Sequence, residues 1–157
     1  MSDDGGSGHP EPPGLPVPTI LVSDRQDETL DLASLIGVAR DVLMAEGYRE
    51  VELSLSFVEE AEMVGLHERF MGEPGLTDVL SFPLEEDDRT EDGARVLGDV
   101  VIAPAVAARN NPADRHSELR LLVVHGTLHI LGYDHEDDGE RTEMWARQER
   151  YSGLTVP

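Results

Sequence analysis

His125, His129 and His135 stand at the spacing His-x3-His-x5-His within the segment HGTLHILGYDH. On a helix the first two imidazoles are four residues apart and share one face. Gly132 follows three residues after His129, and a glycine there is suited to end the helix in the left-handed conformation. The chain can then turn back and bring His135 toward the other two rings. Three neutral imidazoles converging from a helix and the turn after it form an open zinc site, with a fourth position for water. The competing reading is three core histidines, each satisfied by its own hydrogen bond. The flanking runs LRLLVV and ILG predict a buried helix, however. Two imidazoles meeting on one face of such a helix are hard to satisfy without a metal.

The same ligand frame occurs in metzincin proteases, where a Glu directly after the first His is the general base. Position 126 is glycine here, which can neither take nor give a proton. The frame is hydrolytic, but peptide hydrolysis by that route lacks its base. Asp78, Asp99 and Asp134 are candidates for supporting roles. Asp134 adjoins a ligand and could orient an imidazole through its second nitrogen. Asp78 could serve the site or cap the turn before its strand. Asp99 lies in an apolar strand and needs a partner if buried. Asp137 or Asp138 could close the metal site as a fourth ligand, which would make it structural. Ser81 could face the cleft, although a strand serine usually has no catalytic part. His116 lies nine residues before His125, and at about 100° per residue it falls on the opposite side of the helix, as a surface residue.

Several elements must position these groups. TILVS from Thr19 reads as a first strand, and Leu32, Leu35, Ile36, Ala39, Val42 and Leu43 keep helical spacing before Gly47. Val51, Leu53, Leu55 and Phe57 alternate with polar residues, as in a strand with one face more buried. Met63, Leu66 and Phe70 suggest a second helix ending near Gly72; Val79–Phe82 and Val96–Ala103 read as strands around an acidic surface loop. Ala105–Arg109 predicts a helical turn, Asp114 caps the His-bearing helix, and a final helix begins near residues 136–138 and docks through Met144 and Trp145. Alternating strands and helices predict an α/β (α+β-like) single domain, a small mixed, mostly parallel sheet of about four strands packed with helices. Residues 1–18, rich in Gly, Pro and acid and including His9, read as a disordered tail before a domain at 19–157.

The chain has 157 residues, no cysteine and a formal net charge of −21, and its 12 basic residues are all arginine. Disulfides and thiolate ligands are excluded. No export signal is visible, and no stretch approaches the roughly 20 apolar residues of a membrane span, so a cytoplasmic protein is expected. Such a surface repels nucleic acid, and RNA binding would need a local arginine cluster and the metal to overcome the field.

TDVLSFP (77–83), LGDVVIAP (97–104) and HGTLHILGYDH (125–135), in this order, resemble the YbeY family of bacterial rRNA maturation factors. The resemblance spans roughly residues 19–150. It implies a single-strand-specific endoribonuclease with one zinc held by His125, His129 and His135, maturing the 3′ end of small-subunit (16S) rRNA and serving ribosome quality control. It also implies RNA, the small subunit, a ribosomal protein and an Era-type assembly GTPase as partners, and no membrane. The family commonly shows Leu-Asn-x-x-x-Arg before TDVLSFP; here His67 stands for the Asn and Met71 for the Arg. Methionine cannot stabilise a phosphate, so either Arg69 or another arginine substitutes as the RNA contact, or the phosphate contact is weaker in this branch. A metal with an open position polarises a phosphoryl oxygen or activates water, and in RNA the 2′-hydroxyl is a second nucleophile. Two other readings remain: a metallopeptidase on the same frame, and a non-catalytic, zinc-stabilised ribosome assembly factor.

Overall fold

The computed structural model describes residues 15–133 and 138–152. In chain order the elements are β1 (Thr19–Arg25), α1 (Leu32–Ala45), β2 (Val51–Val58), α2 (Glu60–Met71), β3 (Val79–Pro83), β4 (Arg95–Ile102), α3 (Pro104–Asn110), α4 (Arg115–Ile130) and α5 (Asp138–Ser152). Among these residues the strands form one sheet in the order β1-β2-β4-β3. β1 and β4 flank β2 in parallel, and β3 closes the edge antiparallel to β4. This is the small, mixed, mostly parallel α/β sheet that the alternation of elements predicts.

Helices cover both sheet faces. Leu53, Leu55, Phe57, Val100 and Ile102 turn to one face and join Leu35, Ala39, Leu43, Leu119, Leu122 and Val123 of α1 and α4 in the main core. Val58, Leu80 and Val101 turn to the other and meet Met63 of α2. The first half of β2 keeps the predicted contrast, with Glu52 and Ser54 less buried than Val51 and Leu53, whereas its second half is buried on both sides, Ser56 included. A strand central to a sheet with helices on both faces is expected to lose that contrast.

Boundaries follow local chemistry. Asp31 caps α1 by accepting from Ser34 N at 3.1 Å, and Gly72 (φ 69°) ends α2 in the left-handed region. α3 is a full short helix with Pro104 in its first turn, rather than a single turn. His116 is half-buried rather than on the surface. The side of α4 opposite His125 packs on α1, and His116 Nε2 lies 3.2 Å from Ser34 Oγ. Of the expected tail, residues 1–14 lie outside the described residues; the carbonyls of Pro16 and Pro18 accept from Arg49 and Arg40.

α5 docks by Met144, which is fully buried with Val42, Val124 and Leu128, whereas Trp145 is 40% exposed. Only one of these two neighbours can face inward, because adjacent helical positions diverge by about 100°. A polar cluster completes the docking. Tyr133 Oη donates to Glu46 Oε1 at 2.6 Å, Tyr151 Oη donates to Oε2, and Arg147 Nε lies 3.3 Å from both oxygens. Burial alone would raise the Glu46 carboxyl, but these donors hold it below its ordinary value of 4.5. Burial and the Glu46 carboxylate push Tyr133 up to about 12.

Because the folded-state value of Glu46 is depressed, its contribution is present above pH 4.5 and lost as pH falls below it. Urea unfolding of Glu46→Gln should show a deficit of about 1.5–3 kcal/mol at pH 7, the range for hydrogen bonds to a charged group. That deficit should shrink as pH falls below 4.5. A deficit independent of pH would mean that the charge of Glu46 contributes nothing.

Candidate functional site

The His-bearing helix starts at Asp114, whose Oδ1 accepts from Ser117 N at 3.1 Å and whose Oδ2 accepts from Ser117 Oγ at 2.6 Å. It then runs against β4 and β3 with no space at Gly126. A Cβ there would lie 2.4 Å from Val100 Cγ1 and 3.3 Å from Ser81 Oγ. Ser81 Oγ, 3.0 Å from the Gly126 carbonyl, donates to it and ties β3 to the helix. The backbone contact at 126 decides where the neighbouring residues go. His125 and His129 lie to one side of it, at the exposed edge strand β3. At the end of the helix Tyr133 N donates to the Leu128 carbonyl, and Gly132 takes φ 103°.

The two rings meet with centroids 4.8 Å apart and planes inclined by 58°. They open on a cavity of about 260 Å³ lined also by Met71, Val79, Leu80 and Ser81. His125 Nδ1 lies 2.5 Å from Gln148 Oε1 of α5, and Gln148 is buried at 4% exposure. With the amide oxygen as acceptor, Nδ1 carries the proton and Nε2 is the lone-pair nitrogen. Two adjacent imidazoles, one with its tautomer fixed, form a borderline-soft donor pair that fits zinc. Among the described residues no group of three or more potential ligands converges. The third expected ligand, His135, lies outside the described residues, as do Asp134 and Asp137, and the side chain of Asp138 is likewise outside them.

The other expected residues separate. Asp78 sits next to the histidines, in a cavity of about 210 Å³ shared with Glu118, His125 and Gln148. Its carbonyl accepts from Ala103 N at 3.0 Å, and its Oδ2 from Asn110 Nδ2 at 3.3 Å. Burial pushes the Glu118 carboxyl up, opposed by Asn110 and reinforced by Asp78. Asp99 faces away from the histidines, into a third cavity on the α2-facing side of the sheet with Arg25, Phe70 and Phe82. Burial raises its carboxyl as well, against the hydrogen bond from Ser56 Oγ (3.3 Å) and the charge of Arg25. Met71 lines the histidine cavity; Arg69 does not, and its guanidinium lies 5.7 Å from the Phe70 ring centroid. His67 instead holds the loop after α2, through Gly75 O at 3.0 Å and Glu73 at 3.1 Å.

Gln148 and Glu118 were absent from the sequence-based candidates. A signal for Gln148 existed: it lies four residues after Met144 on the inward stripe of a largely charged helix, where a polar side chain needs a partner. No comparable signal marked Glu118.

With this geometry in place, comparison with known proteins is informative. The family described as Endoribonuclease YbeY matches residues 21–153. A protein of that name from Beutenbergia cavernae is 44% identical over 137 residues, covering 82% of this chain and 91% of the relative. One from Acidothermus cellulolyticus is 44% identical over 142 residues, covering 83% and 87%. A solution structure of a Thermotoga maritima protein aligns with a TM-score of 0.61 at 30% identity, covering 85% of this chain and 87% of the other.

The close approach at Gly126 predicts an overpacking cost. Gly126→Ala gains up to about 1 kcal/mol of helix propensity, yet forces a methyl against a stiff, fully buried valine, which typically costs about 1–3 kcal/mol. Urea denaturation should show a net loss of stability. A variant more stable than the parent would show that the helix can lift from β4 freely.

Proposed function

The chain belongs to the YbeY endoribonuclease family, and from that membership we propose that it is a zinc-dependent endoribonuclease cutting single-stranded RNA. Its target on this reading is the 3′ end of small-subunit (16S) rRNA, in ribosome maturation and quality control, with ribosomal partners and an Era-type GTPase. The observation that carries the reading is the pair His125 and His129 on one cavity, with Nδ1 of His125 engaged by buried Gln148. His125, His129 and His135 would hold the ion. When bound, zinc supplies Lewis acidity toward a phosphoryl oxygen and lowers the pKa of water.

The chain's own side chains do the rest. Gln148 fixes the tautomer of His125 so that Nε2 is the nitrogen available as a ligand. Ser81 spends its proton on the Gly126 carbonyl and acts as a brace rather than a nucleophile. Gly126 leaves no general base beside the first ligand, which argues against the peptidase reading. Asp78 and Glu118 on one side disfavour phosphates there, so the RNA strand enters over Met71 and Ser81. Met71 makes that entrance apolar. It gives no phosphate contact of its own, and Arg69 on the outer side of α2 is the nearby cation proposed to meet RNA.

His129→Ala should lose bound zinc by elemental analysis and abolish cleavage of single-stranded RNA, with circular dichroism recorded beside it. A folded, metal-free variant that cuts RNA at the parental rate would sink the ribonuclease reading and leave the non-catalytic assembly factor. A folded variant with unchanged zinc would sink the ligand assignment.

Gln148→Leu should weaken zinc binding about 10–100-fold, the usual cost of losing an outer hydrogen bond to a ligand. Gln148→Glu, which keeps an acceptor, should bind zinc like the parent in the same competition with a chelator. Equal affinities for Leu and Gln would remove Gln148 from the site.

A further inference from the structure

On the α2-facing side of the sheet, across it from the helix that carries the histidines, lies a cavity of about 320 Å³ lined by Arg25, Leu66, Phe70, Phe82, Asp99 and Val101. Its size is at the lower end of small-ligand pockets. Two features mark it out from an imperfect core. Phe70 is 56% exposed at the end of α2, with its ring edge-on to Phe82 at a centroid distance of 5.4 Å. Asp99 is half-buried on the floor, and among the described residues its one hydrogen-bond partner is Ser56 Oγ at 3.3 Å. An exposed aromatic wall over a carboxylate with unused acceptor capacity suits a flat, apolar ligand with a donor-rich edge.

We propose that this cavity is a nucleobase subsite, and that it takes an unpaired guanine of the RNA whose backbone lies at the histidines. The inference rests on the ribonuclease reading for its ligand class. Adjacent strand residues point to opposite sides, so Ser81 faces the histidine cavity while Phe82 faces this one. Met71 and Phe70 divide in the same way at the end of α2. A strand crossing this edge presents its phosphodiester to one cavity and an adjoining base to the other. Guanine alone among the four bases has two neighbouring N–H donors, N1–H and N2–H, on its Watson–Crick edge. A carboxylate accepts both side by side, as it does a guanidinium fork. That edge is occupied in a duplex, so the pocket reads only unpaired RNA.

Charge explains why a base contact matters in this chain. The formal net charge is −21, and Arg25 beside the pocket is already held by Glu62 at 2.7 Å. With Arg25 engaged by Glu62, stacking in this cavity supplies binding that an arginine would supply elsewhere. Arg69, over the Phe70 ring, adds a cation next to the stacked base.

The test is an NMR titration of the zinc-loaded chain with GMP, AMP, CMP and UMP, following the ring signals of Phe70 and Phe82. Mononucleotides contain no internal phosphodiester, so the result is independent of whether the chain cuts RNA. GMP should shift both rings and bind about tenfold tighter than the other three. Phe70→Ala, at an exposed position that leaves folding intact, should weaken GMP about tenfold, within the value of one stacked base. Asp99→Asn, nearly isosteric, should erase the preference for GMP while stacking persists. Unmoved ring signals, or equal GMP affinity in Phe70→Ala, would overturn the subsite while the effect of His129→Ala on cleavage could still stand. Equal binding of all four nucleotides by the parent overturns the guanine assignment. Ring shifts that depend on protein concentration alone would make the pocket a contact between copies and overturn the proposal.

Discussion

Contact between a bare stretch of helix and a strand is what the rest of the site depends on. Gly126 lets α4 approach β4 so closely that a methyl group would collide with Val100. This approach, braced by Ser81, sets the rotation of α4 about its axis. With position 126 against the sheet, positions 125 and 129 must emerge at the edge strand. The same contact forbids the general base that a metzincin carries at this position, because a Glu at 126 would have to occupy the space of Val100. Glycine here is thus both a packing requirement and a restriction on chemistry. On the proposed reading, the ligand set then has no side-chain base beside its first member.

The parts of the site that share one element were legible in the sequence. The His spacing, the Asp114 cap and the glycine after the helix are local, and helical periodicity converts their spacing directly into geometry. Strand and helix alternation likewise carried the fold class, since β1, β2 and β4 each have a recognisable apolar pattern. What was not legible came from contacts distant in sequence. Nothing in a spacing says that Met71 of α2 lines the cavity of His125, or that Asp99 opens on the α2-facing side of the sheet rather than beside Asp78. The docking of α5 was half legible: Met144 faces inward and Trp145 does not, a choice of about 100° that an apolar pair cannot make by itself.

Charge pairing accounts for how so acidic a chain can face a polyanion. Arg25, Arg109, Arg115 and Arg147 are paired with Glu62, Glu60, Glu28 and Glu46 respectively. The first three, at partly exposed positions, contribute little to stability, but each of the four removes a cation from the pool that could meet phosphate. The excess carboxylates then keep RNA off most of the surface. An opening walled by Met71, Ser81 and two imidazoles has no carboxylate among its lining residues. If RNA is taken up there as proposed, local neutrality within a repulsive field favours that opening over the rest of the surface, a form of specificity by exclusion.

The remaining link runs from the fold's polar anchor to His125. α5 presents Gln148 to His125 only while the helix stays docked, and docking depends on Met144 and on Glu46 with its two tyrosines and Arg147. Tyr133 belongs to the turn that leaves α4, one residue after Gly132, so the cluster gathers α1, the exit of α4 and α5 around one carboxylate. A hydrogen bond to a ligand orients it only as well as its own support is fixed. The Glu46 cluster therefore acts on the histidine pair without touching it, by holding the helix whose buried amide engages Nδ1 of His125.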